Sequence, residues 1–133
     1  MNLRTGAIAT GLLATALTLG TAGLPAWSQG NAGADLFNAN CAGCHGNAGE
    51  GGVGPTLANN QSLDDANHVA LQIIGGGGDM PPFGDQLTDQ QIADIATYIR
   101  ANWGNAFGPV TVEEVAAQRA ALAAAPAAPP PPP

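Results

Sequence analysis

The sequence predicts a small all-α domain of three to four helices, on three observations. Apolar residues recur at helical spacing in three separate stretches, the last of them Ile92, Ile95, Ala96 and Ile99. Helix-start signals stand at the second and third stretches, Ser62 with Asp65 and Thr88 with Gln91. No run of β-branched residues between turn signals reads as a strand. The chain has 133 residues. Once an N-terminal leader is set aside, about a hundred remain, enough for one domain with a thin core.

Residues 1–28 read as that leader. Met1-Asn2-Leu3-Arg4 brings a single positive charge, an uncharged Ala/Leu/Thr-rich run extends from Gly6 to Ala22, and Pro25-Ala26-Trp27-Ser28 follows. Small residues at Ala26 and Ser28 fit the −3/−1 pattern of a secretory cleavage site. Cleavage after Ser28 is therefore expected, with export to the periplasm as a soluble protein. The alternative is an uncleaved membrane anchor, which alone would associate the protein with a membrane. Thr10, Thr15, Thr18, Thr21, Gly11 and Gly20 dilute the run, which is barely long enough to span a bilayer.

The first helix is expected from near Asn31 to Cys44, where Leu36, Phe37 and Cys41 give a partial i, i+4 apolar stripe. It ends in Cys41-Ala42-Gly43-Cys44-His45. Two cysteines three positions apart lie on the same side of one helical turn. Each sulfur can there form a thioether with one of the two vinyl groups of a single porphyrin. His45 is then held against the porphyrin face, where its imidazole can bind the iron from the proximal side. The motif predicts one haem c, covalently bound through Cys41 and Cys44. A thioredoxin-like redox pair belongs in a βαβ context, and no Val/Ile-rich strand precedes Cys41. A zinc site needs four ligands, and only His68 offers itself as the fourth. A Cys41–Cys44 disulfide would be strained at such short range.

The stretch from Gly46 to Asn60 is rich in Gly and Asn and reads as a loop against the haem edge. A second helix is expected from Ser62, with Asp65 completing a capping-box-like pair, to Gly75. Leu63, Ala66, Ala70 and Ile74 share one face, and His68 falls with Asp65 and Gln72 on the opposite, solvent-facing one. Gly75-Gly76-Gly77-Gly78-Asp79-Met80-Pro81-Pro82-Phe83 follows. This glycine run lacks the Gly-Lys-Ser/Thr ending of a phosphate loop, and its use is to let the backbone turn tightly and approach the porphyrin. Met80 is the only methionine left once the leader is removed, and the prolines after it would hold its sulfur in place. A soft thioether opposite the imidazole favours ferrous iron and raises the reduction potential. Methionine also serves as a core filler, but Met80 lies on no apolar helical face. The candidate iron ligands are His45 and Met80.

The third helix begins at Thr88, with Gln91 at the third helical position and Leu87 placed to staple onto Ile92. Gly104 stops it. The haem domain is thus expected over residues 29–104, with haem supplying much of the buried apolar surface. A short helical extension over 105–125 opens with another capping box, Thr111 with Glu114, and ends at Pro126. Residues 126–133 form a proline-rich tail, extended or disordered, with a docking ligand as the other reading. The formal charge is −7 and there is no lysine. Losing Arg4 with the leader leaves two arginines against ten carboxylates, a formal −8. That argues against nucleic acid or an anionic membrane as partner. A redox partner with a basic or neutral docking face fits, and solubility would explain the acidity equally well.

Cys41-Ala42-Gly43-Cys44-His45, then Gly54-Pro55-Thr56-Leu57, then Met80-Pro81-Pro82-Phe83 before a final helix resemble a class I cytochrome c. The likeness spans about Gly30 to Gly104. It implies a helical fold around one low-spin haem with an exposed edge, anchored at Cys41 and Cys44 and ligated by His45 and Met80. It also implies that the Pro55 carbonyl accepts the other ring N–H of His45, and that the first helix, at Gly33 and Phe37, crosses the helix carrying Tyr98. The segment from Met80 through Trp103-Gly104-Asn105 is similar to the haem modules of bacterial alcohol and sugar dehydrogenase cytochrome subunits. Val110 to Val115 continues that similarity more weakly. Those subunits usually carry several haems, whereas this chain has one Cys-x-x-Cys-His.

A six-coordinate iron leaves no position for substrate. The expectation is therefore a monomeric one-electron carrier, not an enzyme, that meets donor and acceptor proteins in brief encounters burying little surface. A dehydrogenase and a terminal oxidase would serve as such partners. The alternatives are an electron-entry or transfer subunit of a periplasmic dehydrogenase complex, and a haem enzyme or gas sensor in which Met80 leaves the iron readily. A five-coordinate four-helix-bundle cytochrome would carry its haem motif near the C-terminus instead.

Overall fold

The computed structural model describes residues 27–126. The leader up to Ala26, and with it most of the expected secretory signal, lies outside them, as does the proline tail from residue 127. Five α-helices follow in order: α1 Trp27–Asn40, α2 Ala42–His45, α3 Ala66–Gly75, α4 Asp89–Ala101 and α5 Val112–Ala124, with a short 3-10 turn at Gln61–Leu63. Among the described residues there is no strand, only an isolated antiparallel bridge between Gly77 and Met80. The all-α expectation holds.

Where one helix was expected from Asn31 to Cys44, the chain forms two. Cys41 leaves the helical conformation (φ −120°, ψ −34°), and α2 restarts behind it as a single turn. The N–H groups of Cys44 and His45 both reach back to the Cys41 carbonyl, at 3.1 and 3.0 Å. The break turns the attachment motif relative to α1: Cys41 is half-buried, Cys44 is exposed and His45 is buried.

Helix α1 crosses α4 at very close range. A Cβ on Gly33 would stand 2.8 Å from Tyr98 Cβ and would collide with the Asp94 carbonyl, so only glycine permits this approach. Phe37 is completely buried beside it. Its ring lies 5.7 Å from Tyr98 and 4.9 Å from Trp103, and Tyr98 meets Trp103 edge-on at 5.2 Å. The crossing implied at Gly33, Phe37 and Tyr98 is present, and Trp103 completes an aromatic cluster that holds it.

Helix α3 starts four residues later than expected. Ser62 belongs to the 3-10 turn, its N–H taken by the Asn60 side chain at 2.9 Å. Asp65 is the N-cap itself and accepts from Asn67 N at 2.9 Å and His68 N at 3.2 Å. The capping pair of Ser62 with Asp65 therefore does not form. Val69, Ala70, Ile73 and Ile74 are the residues α3 buries.

Helix α4 follows the sequence closely. The Thr88–Gln91 capping box is complete, and Ile92, Ala93, Ile95, Ala96 and Ile99 are buried. Arg100 is buried too, without a carboxylate. Its guanidinium is solvated by backbone instead, donating to Gly108 O at 3.0 Å, Asp64 O at 2.9 Å and Leu63 O. Asn105 plays a similar part, donating to Leu57 O and Ile99 O at 2.8 Å each and accepting from Asn60 N at 2.9 Å. These two side chains tie the loop after α2 and the turn before α3 onto the end of α4.

Helix α5 opens with the expected Thr111–Glu114 capping box. It lies against α3 and α4, with Val115 completely buried and Val110 nearly so. The helical part of the extension is thus joined to the haem-domain core. Among the described residues no helix is long and apolar enough to cross a membrane.

Candidate functional site

The packing of α1, α3 and α4 leaves a cavity of about 580 Å³ between them. Its apolar wall comes from Phe37, Leu57, Leu63, Val69, Ile73, Ile95 and Ile99. Cys41, Cys44, His45 and Pro55 line one side and Met80 with Pro81 and Phe83 another, so the fold brings all five expected site residues to one cavity.

His45 comes from the single turn of α2. Its Nδ1 lies 2.8 Å from the Pro55 carbonyl oxygen. A carbonyl only accepts, so Nδ1 carries the proton and donates it, which leaves the lone pair on Nε2. The loop that supplies Pro55 is folded back onto α2: Gly51 N donates to His45 O at 2.7 Å and Gly54 N to Cys44 O at 2.9 Å. A Cβ on Gly54 would stand 2.9 Å from His45 Cε1 and 3.0 Å from Nδ1. The ring is clamped between its hydrogen bond and a backbone that has room for no side chain.

Met80 closes a tight turn after α3. Gly77 and Met80 exchange both N–H···O bonds at 3.0 Å, and Gly76 and Gly78 adopt positive φ of 66° and 59° to allow it. The Met80 side chain is half-buried, with its Sδ 3.7 Å from the Gln72 amide nitrogen. Gln72 corrects the solvent-facing assignment of its helix face: it is half-buried, turned toward the methionine loop. His68, on the same face, is exposed as expected yet lines the cavity rim. Nothing in the sequence marked Gln72, because the loop that covers it leaves the helix at Gly75 and folds back.

Burial, with the neighbouring Cys44 adding to it, pushes the Cys41 thiol up to about 11. A Cys-x-x-Cys oxidoreductase needs the opposite, a lowered thiol. Among the described residues no three His, Cys, Asp or Glu side chains gather closely enough to hold a metal ion by themselves. What remains is an imidazole with a free Nε2, a thioether and two thiols around an apolar cavity. That donor set fits haem c, with imidazole and thioether for iron.

Comparison with known proteins agrees. The family described as cytochrome c oxidase, cbb3-type, subunit III, matches residues 28–99. Cytochrome c6 of Picosynechococcus sp. is 39% identical over 108 residues, covering 70% of this chain and 88% of that one. The cytochrome c subunit of the quinone alcohol dehydrogenase of Gluconobacter oxydans is 36% identical over 116 residues. That match covers 74% of this chain but only 24% of the subunit, so the chain spans about a quarter of that relative's length. Among solved structures, cytochrome cL of Methylophaga aminisulfidivorans superposes with a TM-score of 0.52 at 31% identity, over 59% of this chain and 57% of that one. The c-type cytochrome XoxG of Methylobacterium extorquens does so at 0.51 and 26%, over 62% and 55%. The chain belongs to the cytochrome c family: it is a c-type cytochrome with one covalently bound haem c.

Proposed function

We propose that the protein shuttles single electrons between redox proteins in the periplasm, with His45 and Met80 as the two axial ligands of its haem iron. A bound haem c supplies a one-electron couple. The chain's residues supply the rest. Pro55 O fixes the tautomer and the plane of His45, which leaves the Nε2 lone pair for the iron. Met80 presents a neutral soft donor, which favours the reduced state. Phe37, Leu63, Ile95 and Ile99 exclude water from the inner wall of the cavity, and a low-dielectric wall further disfavours the extra charge of the oxidised state. With His45 and Met80 both holding the iron, no position would be left for a substrate, and the protein would act as a carrier and not as an enzyme. The single observation that carries this reading is the approach of His45, its Nδ1 occupied by Pro55, and Met80 to one apolar cavity.

The test is carbon monoxide added to the reduced parent protein. Two internal ligands predict resistance, and ready binding would show that one position is open.

The partner is a redox protein with a basic or neutral face around its own centre. Asp79, within the methionine turn, is exposed and lines the cavity, and among the described residues no lysine or arginine does so. Similarity to alcohol dehydrogenase cytochrome subunits supports a second reading, electron transfer inside a dehydrogenase complex. Purifying the native protein separates the two: a carrier comes away alone, a subunit comes with a flavin- or quinone-containing chain.

A further inference from the structure

Helix α5 contributes nothing to the wall of the haem cavity, yet it touches both feet of the loop that carries Met80. At the near foot, a Cβ on Gly75 would lie 3.3 Å from Leu122 Cδ2. At the far foot, Arg119 Nη1 donates to Gly84 O and Nη2 to Leu87 O at 3.1 Å. Its Nε meets Asp89 Oδ1 at 2.7 Å. Ile74, Gly75, Pro82 and Gly84 line a single cleft with Arg119 and Leu122. The Gly84 residue is held from two sides, since its N–H donates to Ile74 O at 3.0 Å while its carbonyl accepts from Arg119.

We propose that α5 is a strap across the methionine loop, and that Arg119 is the positioning residue that keeps Met80 in the cavity. The proposal rests on the reading of Met80 as distal ligand. Between its feet the loop is tied to α3 by Gly76 N to Gln72 O at 2.9 Å and Phe83 N to Ile73 O at 3.0 Å, and the methionine turn itself is held by the Gly77–Met80 bridge and the Gln72 contact. Local opening of such a segment is governed by the bonds at its ends. Arg119 binds two carbonyls there with a charged donor, and bonds to a charged group are the stronger kind. The ion pair is the weaker part of the grip. Both its side chains are about a third exposed, at 33% and 29%, where ion pairs contribute little.

The experiment uses the exported full-length holoprotein and two readouts. Hydrogen exchange reports the Gly77, Met80, Phe83 and Gly84 amides, and carbon monoxide reports access to the reduced iron. Arg119→Ala should speed exchange at these four amides and carbon monoxide binding by about tenfold, while amides inside α4 keep their protection. Asp89→Asn leaves both carbonyl bonds in place and should change neither readout by more than about twofold. The proposal is overturned if the Arg119→Ala loop amides exchange as in the parent, if all amides accelerate together, or if carbon monoxide binding stays at the parent rate. Failure of the ligand reading looks different: the parent itself then binds carbon monoxide, and Met80→Ala does so no faster.

Discussion

Met80 has little freedom to place its sulfur elsewhere. Two backbone bonds to Gly77 fix its peptide, prolines follow it, and the Gln72 amide lies 3.7 Å from Sδ. Met80→Ala should leave the haem attached, because Cys41, Cys44 and His45 are untouched. It should abolish the weak sulfur-to-iron charge-transfer absorption of the oxidised form, lower the reduction potential and let the reduced protein bind carbon monoxide. A mutant with the parent's spectrum would show that Met80 is not the ligand. Gln72 gives a finer test. An N–H donor draws electron density from the sulfur, and the oxidised iron needs that density more, so Gln72→Leu should lower the potential, by about 1 kcal/mol on the scale of one hydrogen bond. Spectroelectrochemical titration measures it, and an unmoved potential would mean that the contact has no hold on the iron. The sequence made Met80 visible through its uniqueness in a Gly/Pro loop. Gln72 stayed hidden because a helical wheel separates a helix's faces without saying which of them a later loop will cover.

At the scale of elements, legibility followed how local each signal is. The bounds and buried stripe of α4 were readable because Thr88, Gln91 and the isoleucines all act within one helix. The start of α3 was not. Ser62 and Asp65 are both capping residues, and what chooses between them lies far along the chain: Arg100 occupies the carbonyls of Leu63 and Asp64. With the Leu63 carbonyl held there, the Asn67 N–H turns to the Asp65 side chain. The turn at Cys41 was likewise invisible to a pattern that sees only spacing. The α1–α4 crossing was reached by family likeness alone, since Gly33 within a helix is otherwise a weak residue. Gly33→Ala should cost about 1–3 kcal/mol, because its Cβ meets backbone and the root of Tyr98, neither of which can swing away. A lower denaturant midpoint with the charge-transfer absorption intact is the expected result. An unchanged midpoint would mean that the two helices separate freely.

For the whole molecule, the question is whether the polypeptide has a core of its own. Among the described residues fourteen apolar side chains are buried, and six of them, Phe37, Leu63, Val69, Ile73, Ile95 and Ile99, also line the haem cavity. They belong to one apolar cluster and also present a face to the cavity that would hold the cofactor. Without haem, a cavity of about 580 Å³ is wide enough to admit water, which its apolar walls would then face. Closing those walls on one another is the more favourable state. The chain without haem must therefore collapse or loosen, not stand open. Replacing both attachment cysteines, Cys41→Ala with Cys44→Ala, gives that chain in the exported protein. Far-ultraviolet dichroism should retain part of its helical signal, since the capping boxes of α4 and α5 are local. The near-ultraviolet bands of the Phe37–Tyr98–Trp103 cluster should vanish, and heating should give a broad slope in place of a transition. A sharp melt near the parent temperature would show that the helices close a core without the cofactor, and that haem is a guest in this fold instead of its centre.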